Sequence, residues 1–211
     1  MSPRIYTRKG DDGTTGLLFG GRVAKDAPRI ELNGAVDEAQ AALGLARAEA
    51  EPGGELDALL VTLERQLYVL MAEVATDTSK RGRLVAGETL VTGEMVSGIE
   101  ARIDELSERF ELPSEFVVPG ANRRSAALDV ARATVRRAER VLAAWPQDLA
   151  GSDELPSFVG PFLNRLSDLL WAMARWQEGD QHVAARTRTA RRSGAPVPDA
   201  GHGTDRQGSG T

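Results

Sequence analysis

Two stretches of this chain carry residue types and spacings that can do chemistry. The first, Thr7 to Arg22, reads TRKGDDGTTGLLFGGR and packs five glycines, three threonines and two adjacent aspartates into sixteen residues. Glycines let a backbone bend and approach a ligand closely, threonines add hydroxyl donors, and Arg8, Lys9 and Arg22 place positive charge around the bend. That set suits a phosphate-bearing polyanion, although by composition alone a glycine-rich N-terminal segment is more often a mobile arm than a site. It is not a Walker A loop, because Lys9 precedes its glycine, and no strand followed by closely spaced glycines opens a dinucleotide fold. The second stretch holds four arginines in nine residues, Arg132 to Arg140. At roughly 100° per residue, Ser125, Arg132, Arg136 and Glu139 gather along one flank of a helix whose apolar face carries Ala127, Ala131, Thr134, Val135, Ala138, Leu142 and Trp145. Two arginines one turn apart can grip a single anion through planar guanidinium forks, or they can belong to a solvated charged face. Arg137 projects toward the opposite flank.

Smaller features accompany these. Phe116, in the segment FVVPG (116–120) ahead of the arginine helix, either fills a gap in the core or lines an apolar ligand. On the last helical stretch Asn164, Asp168, Trp171 and Arg175 fall opposite the apolar stripe, where a polar surface or a nucleotide contact would use them. Asp37 and Glu38 stand mid-helix among alanines, and Asp37 can pair with an arginine, within the chain or across a subunit boundary.

Composition narrows the chemistry. The absence of cysteine excludes thiolate nucleophiles, disulfides and Cys-ligated metals, and the two histidines, His182 and His202, lie in or near the tail, so a histidine triad or metal centre is not expected. Arginine, carboxylate, amide and backbone groups remain. The net charge is −5, and the final residues from Arg186 carry five arginines against two aspartates, which leaves the body still more acidic. An acidic body argues against nucleic-acid binding. No apolar run approaches a membrane span or a signal-peptide core, so a cytoplasmic location is expected.

The elements that must position these residues are helical. Apolar residues recur at three- and four-residue spacing from about Ile30 to Glu51, from Leu56 to Val74, after Thr92 as an N-cap through Phe110, from about Asn122 to Trp145 before Pro146, and from Phe162 to Trp176 with Pro156 or Pro161 in the first turn. Five helices with short connections predict an all-α antiparallel bundle. Only Ile5 to Thr7 and Phe116 to Val118 suggest extended chain, and neither predicts a sheet. Residues 1–29 form an arm and loop, 30–180 the bundle, and 187–211, dominated by small and polar residues, a disordered tail.

Five blocks, IYTRKGDDGTTGLLFGGR, the VDE at Val36 to Glu38, FVVPG, SAALDVARATVRRAER from Ser125 to Arg140, and FLNRLSDLLWAMAR from Phe162 to Arg175, together resemble the PduO-type ATP:cob(I)alamin adenosyltransferases in family order. The resemblance covers most of residues 4–178. It implies a five-helix bundle assembled as a homotrimer with sites between subunits, ATP and cob(I)alamin as substrates, and Mg²⁺ accompanying the nucleotide. It places Thr7, Arg8, Lys9, Gly10, Asp11, Gly13, Thr14 and Thr15 in a loop that closes over ATP, with Lys25 as a further contact. Arg132, Arg136, Arg137, Glu139 and Asn164 match positions around ATP and the subunit boundary. Asp37 matches an acid paired across that boundary, with Arg132 as its partner, and Phe116 matches an aromatic beneath the corrin ring.

The implied reaction explains the missing catalytic base. Reduced cobalt is itself the nucleophile, so the protein need only align it with the ribose C5′, neutralise triphosphate and exclude water. A reductase and an adenosylcobalamin-dependent enzyme are the implied partners, and a delivery protein with little turnover is the competing expectation. Five positions depart from the family pattern: Asp129 stands where histidine is common, Ala121 where a second glycine is usual, and Ala39-Gln40-Ala41 where Leu-Asn-Ser is usual.

Overall fold

Helices begin where local chemistry satisfies their first amide groups. Thr92 caps one by accepting from the Met95 amide at 3.3 Å, and Asn122 and Ser125 form a reciprocal capping box at the start of the arginine helix. In the computed structural model, which describes residues 5–144, 156–181 and 183–185, five long helices follow one another: α1 (Pro28–Ala48), α2 (Glu55–Val74), α3 (Gly93–Ser107), α4 (Arg123–Ala143) and α5 (Val159–Glu178). Pro28 occupies the first turn of α1 and Pro161 that of α5, where a missing amide hydrogen costs nothing. Gly179, at φ +54°, ends α5.

The helices pack as a bundle in which α4 lies against both α1 and α5, α1 also packs on α2, and α3 covers α5. Leu32, Leu43, Leu60, Leu67, Leu128, Phe162, Leu166 and Leu170 are buried in one continuous core. Alanines 35, 39, 42 and 46 give α1 a buried face of small residues, and Ala131 and Ala138 do the same for α4. No helix among the described residues is long and apolar enough to cross a membrane.

The sheet expectation requires correction. A hairpin pairs β1 (Thr14–Gly16) with β2 (Arg22–Ala24), and β3 (Val117–Val118) pairs antiparallel with β4 (Val183–Ala184). The first has no apolar alternation to announce it. Its turn is set instead by Phe19, Gly20 and Gly21, all at positive φ, and by side-chain bonds from Arg22. A 3-10 segment, Thr78–Arg83, was likewise not anticipated, and α3 stops at Ser107, short of Phe110. Trp145, Pro146, both histidines and the tail from residue 187 lie outside the described residues.

Two buried charged groups fasten the end of the bundle that carries the hairpin. Arg29, at the start of α1, donates to the Val74 carbonyl at 2.9 Å and to that of Thr76, satisfying carbonyls left open where α2 ends. Glu73, fully buried, accepts from Arg81 at 3.0 Å, the Val91 amide at 2.8 Å and the Ser157 hydroxyl at 2.7 Å, joining four segments.

Glu73→Ala strands a buried guanidinium, an amide and a hydroxyl at once. We expect a loss of about 3–5 kcal/mol in urea unfolding; a loss under about 1 kcal/mol would show that the surrounding groups find other partners.

Candidate functional site

Asp12 organises the glycine-rich loop. Its Oδ1 accepts from the Thr14 amide at 2.9 Å and the Thr14 hydroxyl at 2.7 Å, and lies 3.5 Å from Arg22. Arg22 donates to the Thr14 hydroxyl from Nε at 2.9 Å and to the carbonyl of Lys9, closing the bend. The Thr14 hydrogen bonds, and then the Arg22 guanidinium, hold the Asp12 carboxyl below its ordinary pKa. The Lys25 amide donates to the Gly13 carbonyl at 2.9 Å. A Cβ on Gly10 would lie 3.1 Å from the Thr14 carbonyl and 3.3 Å from the Lys25 ammonium, so only glycine passes there without displacement. Gly13 adopts φ +79° and Arg8 φ +60°. Thr7 accepts from the Lys9 amide at 3.4 Å, and Asp11 is exposed at the turn. Arg22, expected to offer positive charge to a polyanion, is engaged inside the loop, and Asp12 is a loop-organising residue that composition does not single out.

The hairpin leans on the bundle through the Leu18 amide, which donates to the Ala75 carbonyl at 2.9 Å, and through Lys80, which donates to the Gly20 carbonyl at 2.6 Å. Beneath it runs a groove of about 550 Å³ bounded by Thr15, Gly16, Asn33, Asp37, Tyr68 and Met71. Asp37 is exposed on its wall and makes no ion pair among the described residues.

A second cavity, of about 610 Å³, opens on the other side of the arginine helix, lined by Phe116, Val117, Asp129, Arg132, Trp171 and Arg175 among others. Phe116 is 87% exposed at its mouth, so it fills no gap in the core. The Ala185 amide donates to the Phe116 carbonyl at 2.7 Å, extending the β3–β4 pairing to the aromatic itself.

In the wall, the Asp129 carboxylate accepts from Arg132 Nε at 3.1 Å and from Arg175 at 2.7 Å. Arg175 also pairs with Glu178 through two nitrogens, at 2.9 and 2.8 Å. This corrects the expectation that Arg175 lies on a polar surface: it is 3% exposed. Helical periodicity gives its angle, but two carboxylates and the face of Trp171, 5.7 Å away, bury this end of the polar side of α5, whereas Asp168 on the same side is exposed. Ser125, expected on the arginine flank, is buried in the capping box.

The remaining α4 residues divide. Arg136 is exposed and makes no ion pair among the described residues, while Arg137, on the opposite flank as expected, pairs with Glu38 of α1. Glu139 accepts from the Asn164 side-chain amide at 2.9 Å, linking α4 to α5. The loop-side groove and the Phe116 cavity have no lining residue in common. Among the described residues no cluster of three or more carboxylate or imidazole groups is arranged to hold a metal ion. Geometry therefore provides an exposed cationic loop, an arginine with no ion pair among the described residues, and a cavity that mixes aromatic and apolar side chains with arginines, an arrangement suited to an anion and an apolar group.

A family model described as cobalamin adenosyltransferase matches residues 5–177. The corrinoid adenosyltransferase of Citrobacter freundii is 40% identical over 182 residues, covering 86% of this chain and 99% of that protein. That of Bacillus subtilis is 38% identical over 175 residues, 82% of this chain and 85% of that protein. Among solved structures, a variant PduO-type ATP:corrinoid adenosyltransferase from Lactobacillus reuteri, complexed with cobalamin and ATP, aligns with a TM-score of 0.73 at 26% identity, covering 88% of this chain and 97% of that one.

Because the Asp12 carboxyl is held below its ordinary value, its contribution to loop order is complete above about pH 4 and is lost as pH falls through the depressed folded value. Asp12→Ala should reproduce that loosening at neutral pH. Hydrogen exchange at the Thr14 amide, corrected for intrinsic rates, should accelerate in the variant; unchanged protection would mean that Arg22 holds the loop alone.

Proposed function

The chain belongs to the cobalamin adenosyltransferase family, and we propose on that footing that it transfers the 5′-deoxyadenosyl group of ATP to the cobalt of cob(I)alamin, giving adenosylcobalamin and triphosphate. The observation that carries this reading is the exposed Phe116 at the mouth of a cavity whose wall is Arg132 on the arginine helix. That cavity offers an apolar seat for a corrin beside cationic groups suited to a nucleotide. Cob(I)alamin attacks the ribose C5′ with its own electron pair; the C5′–oxygen bond breaks, its electrons leave with triphosphate, and cobalt becomes Co(III) with a carbon ligand. No protein base is needed.

The protein's work is placement and charge. Thr7, Arg8, Lys9, Gly10, Asp11, Gly13, Thr14 and Thr15 wrap the triphosphate, with Lys25 beside Gly10 adding charge. Arg136, which makes no ion pair among the described residues, serves the departing triphosphate. Arg137, Glu139 and Asn164 fix α4 against α1 and α5 beside it. Phe116 presents an aromatic face where a lower cobalt ligand would sit. Mg²⁺ travels on the phosphate oxygens, a mode that needs no dedicated carboxylate cage.

Since the loop-side groove and the Phe116 cavity have no lining residue in common, one chain presents two half-sites. A homotrimer that apposes the half-sites completes three sites. Arg132 commits Nε to Asp129, leaving its terminal nitrogens for Asp37 of a neighbouring copy. The enzyme is cytoplasmic, and a reductase must supply the Co(I) state.

Mixing the protein with ATP, Mg²⁺ and chemically reduced cobalamin, and following the absorbance change of cobalt alkylation, tests the reaction. Alkylation is expected; tight adenosylcobalamin binding with negligible turnover would make the chain a delivery protein instead. Arg136→Ala should lower turnover about 10²-fold with helix content unchanged, and wild-type kinetics would remove Arg136 from the site.

A further inference from the structure

The tip of the β1–β2 hairpin keeps a bulky residue in a conformation it does not adopt by itself. Phe19 sits at φ +63°, in the left-handed region where a side chain crowds its own carbonyl, whereas Gly20 and Gly21 beside it take positive φ without that cost. An aromatic kept there is held by its surroundings. The Lys80 ammonium donates to the Phe19 carbonyl at 3.2 Å and to the Gly20 carbonyl at 2.6 Å, and the Arg83 guanidinium lies over the Phe19 ring, 4.4 Å from its centre. Backbone and ring are thus gripped together from the 3-10 segment Thr78–Arg83.

That segment is itself fastened to the bundle. Asp77 caps its start by accepting from the Ser79 amide at 3.0 Å, the Thr78 hydroxyl accepts from Arg29 at 3.5 Å, and Arg81, 6% exposed, turns inward to the fully buried Glu73 carboxylate. The basic residues of the segment therefore divide their work: Arg81 anchors it, while Lys80 and Arg83 reach out to the hairpin. The strands leaving the tip carry Thr14, Thr15 and Arg22, and Arg22 bonds back to the Lys9 carbonyl, so a tilt of the tip moves the whole glycine-rich loop.

We propose that Lys80 and Arg83 are positioning residues for the nucleotide: by latching Phe19 at the hairpin tip, they hold the glycine-rich loop in place before the triphosphate arrives. The identity of the ligand rests on the adenosyl-transfer reading. A loop of glycine and threonine loses conformational freedom when it closes on a ligand, at a cost to affinity, and fixing its base in advance removes part of that cost. Neither side chain touches the nucleotide, so the effect falls on affinity and not on the chemical step.

Calorimetric titration of the full chain with ATP and Mg²⁺ reads nucleotide affinity without turnover. Lys80→Met should weaken binding about tenfold and Arg83→Ala about threefold, the scales of a charged hydrogen bond and of an exposed cation–π contact. The KM for ATP should rise in both, while kcat at saturating ATP and the affinity for hydroxocobalamin stay within about twofold. Hydrogen exchange at the Leu18 and Lys25 amides, which bond to the Ala75 and Gly13 carbonyls, should accelerate in both variants. Arg83→Lys, which keeps a cation over the ring, should recover part of the loss. Phe19→Gly combined with Arg83→Ala should be no worse than Phe19→Gly alone, because both act through one contact. Wild-type ATP affinity in Lys80→Met and Arg83→Ala, equal losses toward ATP and hydroxocobalamin, or unchanged amide exchange would each overturn the assignment. Should Lys80→Met fail to fold, Arg83→Ala decides, since Arg83 is exposed; wild-type affinity there refutes the proposal. A wild-type chain that binds ATP without alkylating reduced cobalamin fails the reaction and not this latch.

Discussion

The Arg29 guanidinium, buried among the last carbonyls of α2, is the interaction on which the placement of the glycine-rich loop depends. A helix end leaves carbonyls without partners, and a buried cation there both satisfies them and complements the local dipole. By bringing the start of α1 onto the end of α2, it fixes the floor over which the glycine-rich hairpin lies. Leu18 and Lys80 then attach the hairpin to carbonyl and side-chain groups at that same end. A loop made of glycine and threonine has little surface of its own to bury. Its position is borrowed from the bundle, while its interior shape comes from Asp12 and Arg22.

The Phe116 cavity uses a different device. Here α4 and α5 pack closely through Leu128, Ala131, Val135, Leu166 and Leu170, and the few polar groups at their boundary pair with one another. Asn164 with Glu139 toward one end, and Arg175 with Asp129 and Glu178 toward the other, lock the two helices in register. Phe116 stands just ahead of the short strand β3, outside this pair. The cavity thus joins a fixed wall to a thin, exposed one.

Periodicity made the five helices legible, and side-chain chemistry made two of their starts legible, at Thr92 and Asn122. What it left out follows from physical causes. The β1–β2 hairpin depends on positive-φ residues and one arginine rather than on alternating apolar residues, so pattern reading passes over it. Arg175 lies at the angle expected from helical spacing, yet its burial depends on Asp129 of another helix, which spacing within α5 cannot report. Phe116 was ambiguous as a lone aromatic; its exposure resolves that choice. The acid at Asp37 and the arginines of α4 were visible as residues, and the separation of loop and cavity within one chain was not.

The pairing of Val117–Val118 with Val183–Ala184 has a consequence for the order of assembly. Contacts within a helix close short loops, whereas this ladder, like the packing of α4 on α1, closes a long one, and closure entropy rises with the length enclosed. On a ribosome, the segment carrying Phe116 emerges well before its strand partner, which follows the whole of α5. The rim of the cavity is therefore the last part to be completed during synthesis, after the helices that form its wall have emerged.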